Sequence, residues 1–225
     1  MQSDELIRVE GVSKKFCRDF KRSLRYGVAD LGRELVGRPR TDQLREAEFW
    51  AVQDVSFSLR RGECLGLLGH NGAGKTTMLR MLNGLIKPDK GRIEMRGRVG
   101  ALIALGAGFD PVLSGRENVY VNASVLGLTA KEIDRRFDEI VAFADIADFI
   151  DMPLQSYSSG MAARLGFAVA VAVEPDILLV DEVLAVGDHA FRLKAQRAMR
   201  QALDRGTTVV IVSHNLHDVS GSATR

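Results

Sequence analysis

Apolar and polar positions change period several times along this chain, and each change marks an element. Leu6-Ile7-Arg8-Val9 predicts a first strand, after which residues 17–49 interrupt the pattern. Val52-Gln53-Asp54-Val55-Ser56-Phe57-Ser58-Leu59 alternates apolar and polar side chains, as a half-buried strand does. Arg61-Gly62-Glu63 is a turn into a continuous apolar run, Cys64-Leu65-Gly66-Leu67-Leu68, which predicts a buried strand. Thr77-Met78-Leu79-Arg80-Met81-Leu82 reads as a helix, Pro88-Asp89-Lys90-Gly91 as a turn, and Ile93 to Leu105 as short strands. Ser114 opens a helix, with Glu117 three residues on as a capping box, and a mostly helical stretch runs to about Asp151. Ser158 to Val173 is a second helix, Ile177 to Val180 a buried strand, Val183 to Asp204 helical in parts, and Thr207 to Val212 the last strand. Strands alternating with helices imply an α/β fold with a parallel sheet covered on both faces, and the helical block between its halves reads as an inserted subdomain.

The interruption at 17–49 has a pattern of its own. Phe20, Leu24, Val28, Leu31 and Leu35 recur at helical steps and share one face, with Arg and Lys around them and Gly27 and Gly32 weakening the helix. Such a basic amphipathic helix suits a membrane surface or a partner's groove, or packs its apolar face on its own domain. Charge sharpens the contrast. Residues 14–45 carry net +6 and the rest of the chain −4, while the total of +2 gives no argument for nucleic acid. At 225 residues with 46% hydrophobic side chains, the chain is one domain's worth with ample core. The longest apolar run, Phe167 to Val173, has seven residues, against about 20 for a spanning helix. Two cysteines, Cys17 and Cys64, imply no disulfide framework and favour a reducing compartment.

Two constellations carry chemistry. Gly69-His70-Asn71-Gly72-Ala73-Gly74-Lys75-Thr76 fits G-x-x-x-x-G-K-[ST] and lies between a predicted strand and a predicted helix, the context that makes it a phosphate loop. Backbone N–H groups from Gly69 and Asn71 to Thr77 would cradle a phosphate at the positive end of the helix. Lys75 would supply a cation to the outer phosphates, and Thr76 a hydroxyl to magnesium. About a hundred residues on, Ile177-Leu178-Leu179-Val180 delivers two acids, Asp181 and Glu182, to the end of a buried strand. Asp181 suits magnesium, and Glu182 suits a general base on the attacking water.

Tyr157-Ser158-Ser159-Gly160-Met161, leading into Ala162-Ala163-Arg164-Leu165, opens a helix between these two motifs. In this order the chain resembles the ATP-binding cassette (ABC) ATPases, and this segment resembles a variant of their signature peptide. Tyr157 stands for the usual leucine, Ser159 for a glycine and Met161 for a glutamine. The resemblance implies that this helix N-terminus binds the γ-phosphate of ATP held by the opposite subunit, so that catalysis needs a head-to-tail homodimer with Mg2+. It also implies that His214 is the switch histidine beside the γ-phosphate, and that Asp188 couples the two sites. Glu117-Asn118 matches the family pattern, but Leu105 or Gly106 falls where a glutamine is usual, which puts that residue's role at the metal in doubt. Phe16 and Trp50 are the candidates to stack on adenine; an aromatic shortly after the first strand favours Phe16.

Leu105-Gly106-Ala107-Gly108-Phe109, Ser114-Gly115-Arg116-Glu117-Asn118, the Tyr157 segment and Phe49-Trp50-Ala51 together resemble a narrower group, the ATPase subunits of exporters for lipid-linked polysaccharide: O-antigen, capsule or teichoic acid. That resemblance covers nearly the whole chain. It implies one nucleotide-binding domain over 1–225 of the P-loop NTPase fold, with a mixed core sheet, a small antiparallel β-subdomain, the basic insert at 17–49 and a helical subdomain at 110–160. It further implies an integral-membrane permease as partner, lipid-linked polysaccharide as cargo, no nucleic acid, and a peripheral place on the cytoplasmic face of the bacterial inner membrane. Family members usually run on past the histidine through a further helix and strands, so the end at Arg225 reads as a truncation. An ABC ATPase of another system, or a nucleotide-sensing ABC protein without transport, are the alternatives.

Overall fold

Two sheets of opposite character organise the chain. The computed structural model describes residues 4–37, 43–102, 108–181 and 189–212. In chain order the elements are β1 (Glu5–Cys17), α1 (Phe20–Leu35), β2 (Glu48–Arg60), β3 (Cys64–Leu67), α2 (Lys75–Leu82), β4 (Lys90–Met95), β5 (Val99–Leu102), α3 (Gly115–Val125), α4 (Ala130–Ala144), α5 (Ser159–Ala172), β6 (Ile177–Asp181), α6 (His189–Asp204) and β7 (Thr208–Val212). They fall into two compact units, one of residues 7–58 and 69–95, the other of residues 1–6, 59–68 and 96–225.

The first unit holds the three-stranded sheet β2-β1-β4, in which β1 and β4 run antiparallel. β1 is far longer than the Leu6–Val9 strand predicted. A register shift between Glu10 and Ser13 breaks the period-two alternation, so the continuation is hidden from pattern reading. Lys15 then points inward and pairs with Glu48 at 3.0 Å, both side chains buried. α2 buries Met78, Leu79, Met81 and Leu82.

α1 forms where its periodicity predicts, but its apolar face is turned outward: Phe20 is 83% exposed, Leu24 65% and Val28 67%. The opposite face holds the helix. Arg22 pairs with Glu46, the Arg45 guanidinium lies 4.8 Å from the Tyr26 ring centroid, and Arg45 also bonds Asp30. Packing of the apolar stripe on its own domain is thereby ruled out for these three side chains. Those of Leu31 and Leu35 lie outside the described residues.

The second unit holds the parallel sheet β3-β7-β6-β5, the βα pattern realised. Every residue of β7, and Ile177 to Val180 of β6, is buried. β3 is at the edge of the sheet among the described residues. Cys64 is buried there, with burial pushing its thiol up to about 11, while Leu65 to Leu67 are half-buried and Leu68 is exposed. The run predicted as a wholly buried strand is therefore covered only at its start.

Helices α3, α4 and α5 share a second core around Ile133, Phe137, Ile140 and Leu165. Phe143, Phe167 and Phe191, from α4, α5 and α6, meet with ring centroids 5.8–5.9 Å apart. One contact is stacked and two are edge-on, arrangements that suit aromatic rings. The Ser114/Glu117 capping box is present with both of its bonds. Another lies at α4, where the Glu132 carboxylate accepts from the backbone N–H and hydroxyl of Thr129 at 2.8 and 2.7 Å. Its Thr-x-x-Glu spacing is the same local signal as Ser114-x-x-Glu117.

Candidate functional site

The register of the parallel sheet aligns the ends of the strands that precede the predicted motifs. Leu67, the last residue of β3, and Asp181, the last of β6, both pair with Val212, the last of β7. Leu102, the last of β5, pairs with Val180. All four strands therefore end together, and every chain segment leaving that edge carries a predicted motif. Residues after Leu67 enter the phosphate loop, Asp181 leads to Glu182 and Asp188, and Val212 is followed closely by His214. Leu102 leads to Leu105 and Gly106. Ligands in open parallel sheets bind outside the carboxyl ends of the strands. Asp181 is half-buried here. Glu182, Asp188, His214, Leu105 and Gly106 lie outside the described residues.

The phosphate loop has the local geometry its sequence demands. Gly74 is the residue before α2, in the left-handed conformation at φ 87°. A Cβ there would fall 2.1 Å from the carbonyl oxygen of Ala51, so only glycine lets the loop run against β2. The first amides of α2 then point out of an exposed turn made by Asn71, Gly72 and Ala73. The Lys75 ammonium curls back and donates to the carbonyls of Gly69 at 2.6 Å and His70 at 3.0 Å. Its cation is thus held against the backbone at the start of the loop. Thr76 is exposed and Thr77 half-buried. A hydroxyl and a carboxylate, from Thr76 and Asp181, are the hard oxygen donors that suit magnesium.

The variant signature forms a capped helix start. Ser158, the N-cap of α5, is extended at φ −66°, ψ 156°, and its hydroxyl accepts from the Met161 amide at 3.2 Å. Ser159 is exposed, and a Cβ on Gly160 would meet nothing nearer than the Ser158 hydroxyl at 3.8 Å, so this end of α5 is open to an anion. Tyr157 behaves differently: its hydroxyl donates to the Phe149 carbonyl at 2.8 Å. Met161 packs partly against the helical core.

Of the two aromatic candidates, Phe16 is 40% exposed and lines a cleft of about 280 Å³ with Lys14, Cys17, Tyr26 and Gly27. Trp50 is half-buried, with the Lys90 ammonium 5.7 Å from its ring centroid. Asn118 takes a role that its place in a motif did not reveal. Fully buried, it donates to the carbonyls of Asp110, Leu113 and Ser114 and accepts from the Asp110 amide, fixing the loop that precedes α3.

A G-x-x-x-x-G-K-T sequence directly after one strand of a parallel sheet, with an acid ending another strand of that sheet, defines a P-loop nucleotide-binding protein. The sequence pattern of the ABC transporter family matches residues 52–185. The O-antigen export system ATP-binding protein RfbB of Klebsiella pneumoniae is 48% identical over 189 residues, 83% of this chain and 77% of that protein. The teichoic acids export ATP-binding protein TagH of Lactococcus lactis is 43% identical over 187 residues, 83% of this chain and 39% of its own length. A bacterial ABC transporter cassette solved as a dimer superposes with a TM-score of 0.75 at 20% identity, covering 96% of this chain and 91% of that one. The chain belongs to the ABC transporter family, and its enzymatic class is ATPase.

Proposed function

We propose that this chain is the ATP-hydrolysing subunit of an exporter of lipid-linked polysaccharide, of the O-antigen, capsule or teichoic acid type. It works as a head-to-tail dimer with an integral-membrane subunit, on the cytoplasmic face of the inner membrane. The observation that carries the ATPase reading is the shared row in which Leu67, Asp181 and Val212 end their strands. The cargo rests on the relatives, which are named for O-antigen and teichoic acid export.

In this reading the amides of the loop and the Lys75 ammonium hold the outer phosphates of ATP. Thr76 and Asp181 hold magnesium, which neutralises phosphate charge when bound. Glu182 takes a proton from the attacking water, and His214 orients that water. Phe16 stacks on adenine. Ser158 and Gly160 close over the nucleotide of the opposite copy, so the protein's contribution is chiefly positioning and charge stabilisation. The outward apolar stripe of α1, with Lys21 and Arg25 beside it, supports a peripheral position against an anionic membrane surface.

Expressing the chain with candidate membrane subunits and measuring ATP turnover tests the proposal. A permease that co-purifies, and a lipid-linked glycan that stimulates turnover lost in Glu182→Gln, is the expected result. Turnover that survives Glu182→Gln, or no stimulation by any lipid-linked glycan in a complex that turns over ATP, would overturn it.

A further inference from the structure

Tyr157 sits one residue before the N-cap of α5, yet its side chain turns away from that cap. It lies against the first turn of α3, where its hydroxyl donates to the Phe149 carbonyl at 2.8 Å. Gly115, the first residue of α3, makes the approach feasible. A Cβ there would stand 2.0 Å from the Tyr157 hydroxyl and 3.0 Å from its ring. Burial holds the phenol above its usual pKa, so the hydroxyl keeps the proton that it donates.

The seat of this contact is stiff. Gly115 and Arg116 donate their amides to the carbonyls of Met152 and Ile150, at 3.1 and 2.8 Å. In return Leu154 and Gln155 donate to Leu113 and Pro111, each at 2.9 Å. The strip before the signature and the strip that opens α3 are therefore zipped together, and Tyr157 is the last tooth before Ser158. A leucine, the usual residue of the family pattern at this position, has no hydroxyl to make the bond.

We propose that Tyr157 is a positioning residue: its hydroxyl, seated over Gly115, sets where the open N-terminus of α5 stands relative to α3, and so the geometry that Ser158 and Gly160 offer to the partner copy's nucleotide. This rests on the dimeric reading above, in which that N-terminus completes the opposite site. The hydroxyl is spent on a backbone carbonyl and does not touch the nucleotide. Its effect therefore falls on closure and not on the affinity of one copy for ATP. A misplacement of about 1 Å can cost on the order of 10²-fold in an oriented site.

The test uses the full chain carrying Glu182→Gln, with MgATP as the probe. Nucleotide affinity of the monomer, melting temperature and ATP-dependent dimerisation by light scattering are measured for this parent and for Tyr157→Phe, Gly115→Ala and Arg116→Gln. Tyr157→Phe and Gly115→Ala are expected to bind ATP as the parent does but to dimerise about tenfold more weakly or worse. Arg116→Gln breaks the neighbouring Arg116–Asp151 pair in the same strip without touching Tyr157, and is expected to dimerise normally. Equal dimerisation by Tyr157→Phe overturns the positioning role alone. So does an equal loss in Arg116→Gln, which would assign the effect to the stability of the strip. A parent that binds ATP and never dimerises overturns the dimeric reading, and this role with it.

Discussion

Gly74 stands directly against Ala51, with room for no more than a hydrogen: a Cβ at 74 would fall 2.1 Å from the Ala51 carbonyl oxygen. The contact fixes the phosphate loop to β2 through backbone alone. Gly74→Ala must therefore move the loop and also leave an L-residue at a positive φ, which by itself costs about 1–2 kcal/mol. Loss of measurable ATP binding is expected, with a lowered melting temperature. Binding at the parent's affinity by isothermal titration would mean that the loop does not depend on this contact.

Asn118 makes the second testable demand on packing. Its amide serves four backbone groups of residues 110–114 from a fully buried position. Each buried polar group left unsatisfied costs about 1–3 kcal/mol. Asn118→Ala should destabilise by about 2–4 kcal/mol in chemical denaturation, and Asn118→Asp by more, because a carboxylate would face three carbonyl oxygens. A loss below about 0.5 kcal/mol, ordinary for a surface site, would contradict this account.

Acid should weaken the fold through carboxylates whose pKa is lowered on folding. Asp176 is lowered by the Arg98 amide and then by the Arg61 guanidinium, Glu174 by Arg136, and Glu132 by the Thr129 hydroxyl and amide. A carboxylate with a depressed folded pKa binds fewer protons folded than unfolded. Its contribution is complete above the ordinary carboxylate range and is lost as pH falls through and below it. Melting temperature should hold from pH 7 to 5 and drop towards pH 3, and Asp176→Asn should flatten that drop. An unchanged slope in that variant would remove Asp176 from the explanation.

How much of this was legible in the sequence differs between elements for physical reasons. The phosphate loop was readable because its glycines, lysine and flanking patterns are all local. The strand ending at Asp181 was readable because a fully buried strand is continuously apolar. α1 was readable as a helix with two faces. Periodicity identifies an apolar face without saying what covers it, and the pins at Arg45 and Glu46 belong to another segment. The full length of β1 was hidden by its register shift. Tyr157 over Gly115 was illegible because it joins residues 42 positions apart in sequence through a missing Cβ.

The outward stripe of α1 gives a prediction about coupling. Lys21 and Arg25 are exposed beside Leu24 and Val28, while Arg22 is occupied with Glu46. Reversing the charge at Lys21 and Arg25 to glutamate should repel an anionic surface and leave the nucleotide machinery untouched. Surface polysaccharide in cells should fall while ATP turnover of the purified chain stays the same. Export at the parent's level would separate α1 from the membrane step.

The central claim, that two copies complete each other's nucleotide sites, is tested most directly by a cross-link. One chain carries Asn71→Cys in the phosphate loop, another carries Ser158→Cys at the signature, and both carry Cys17→Ser and Cys64→Ala with Glu182→Gln. Mixed and oxidised, they should form a disulfide-linked heterodimer with MgATP and not without it. Two chains that each bind ATP and still fail to cross-link would contradict the account.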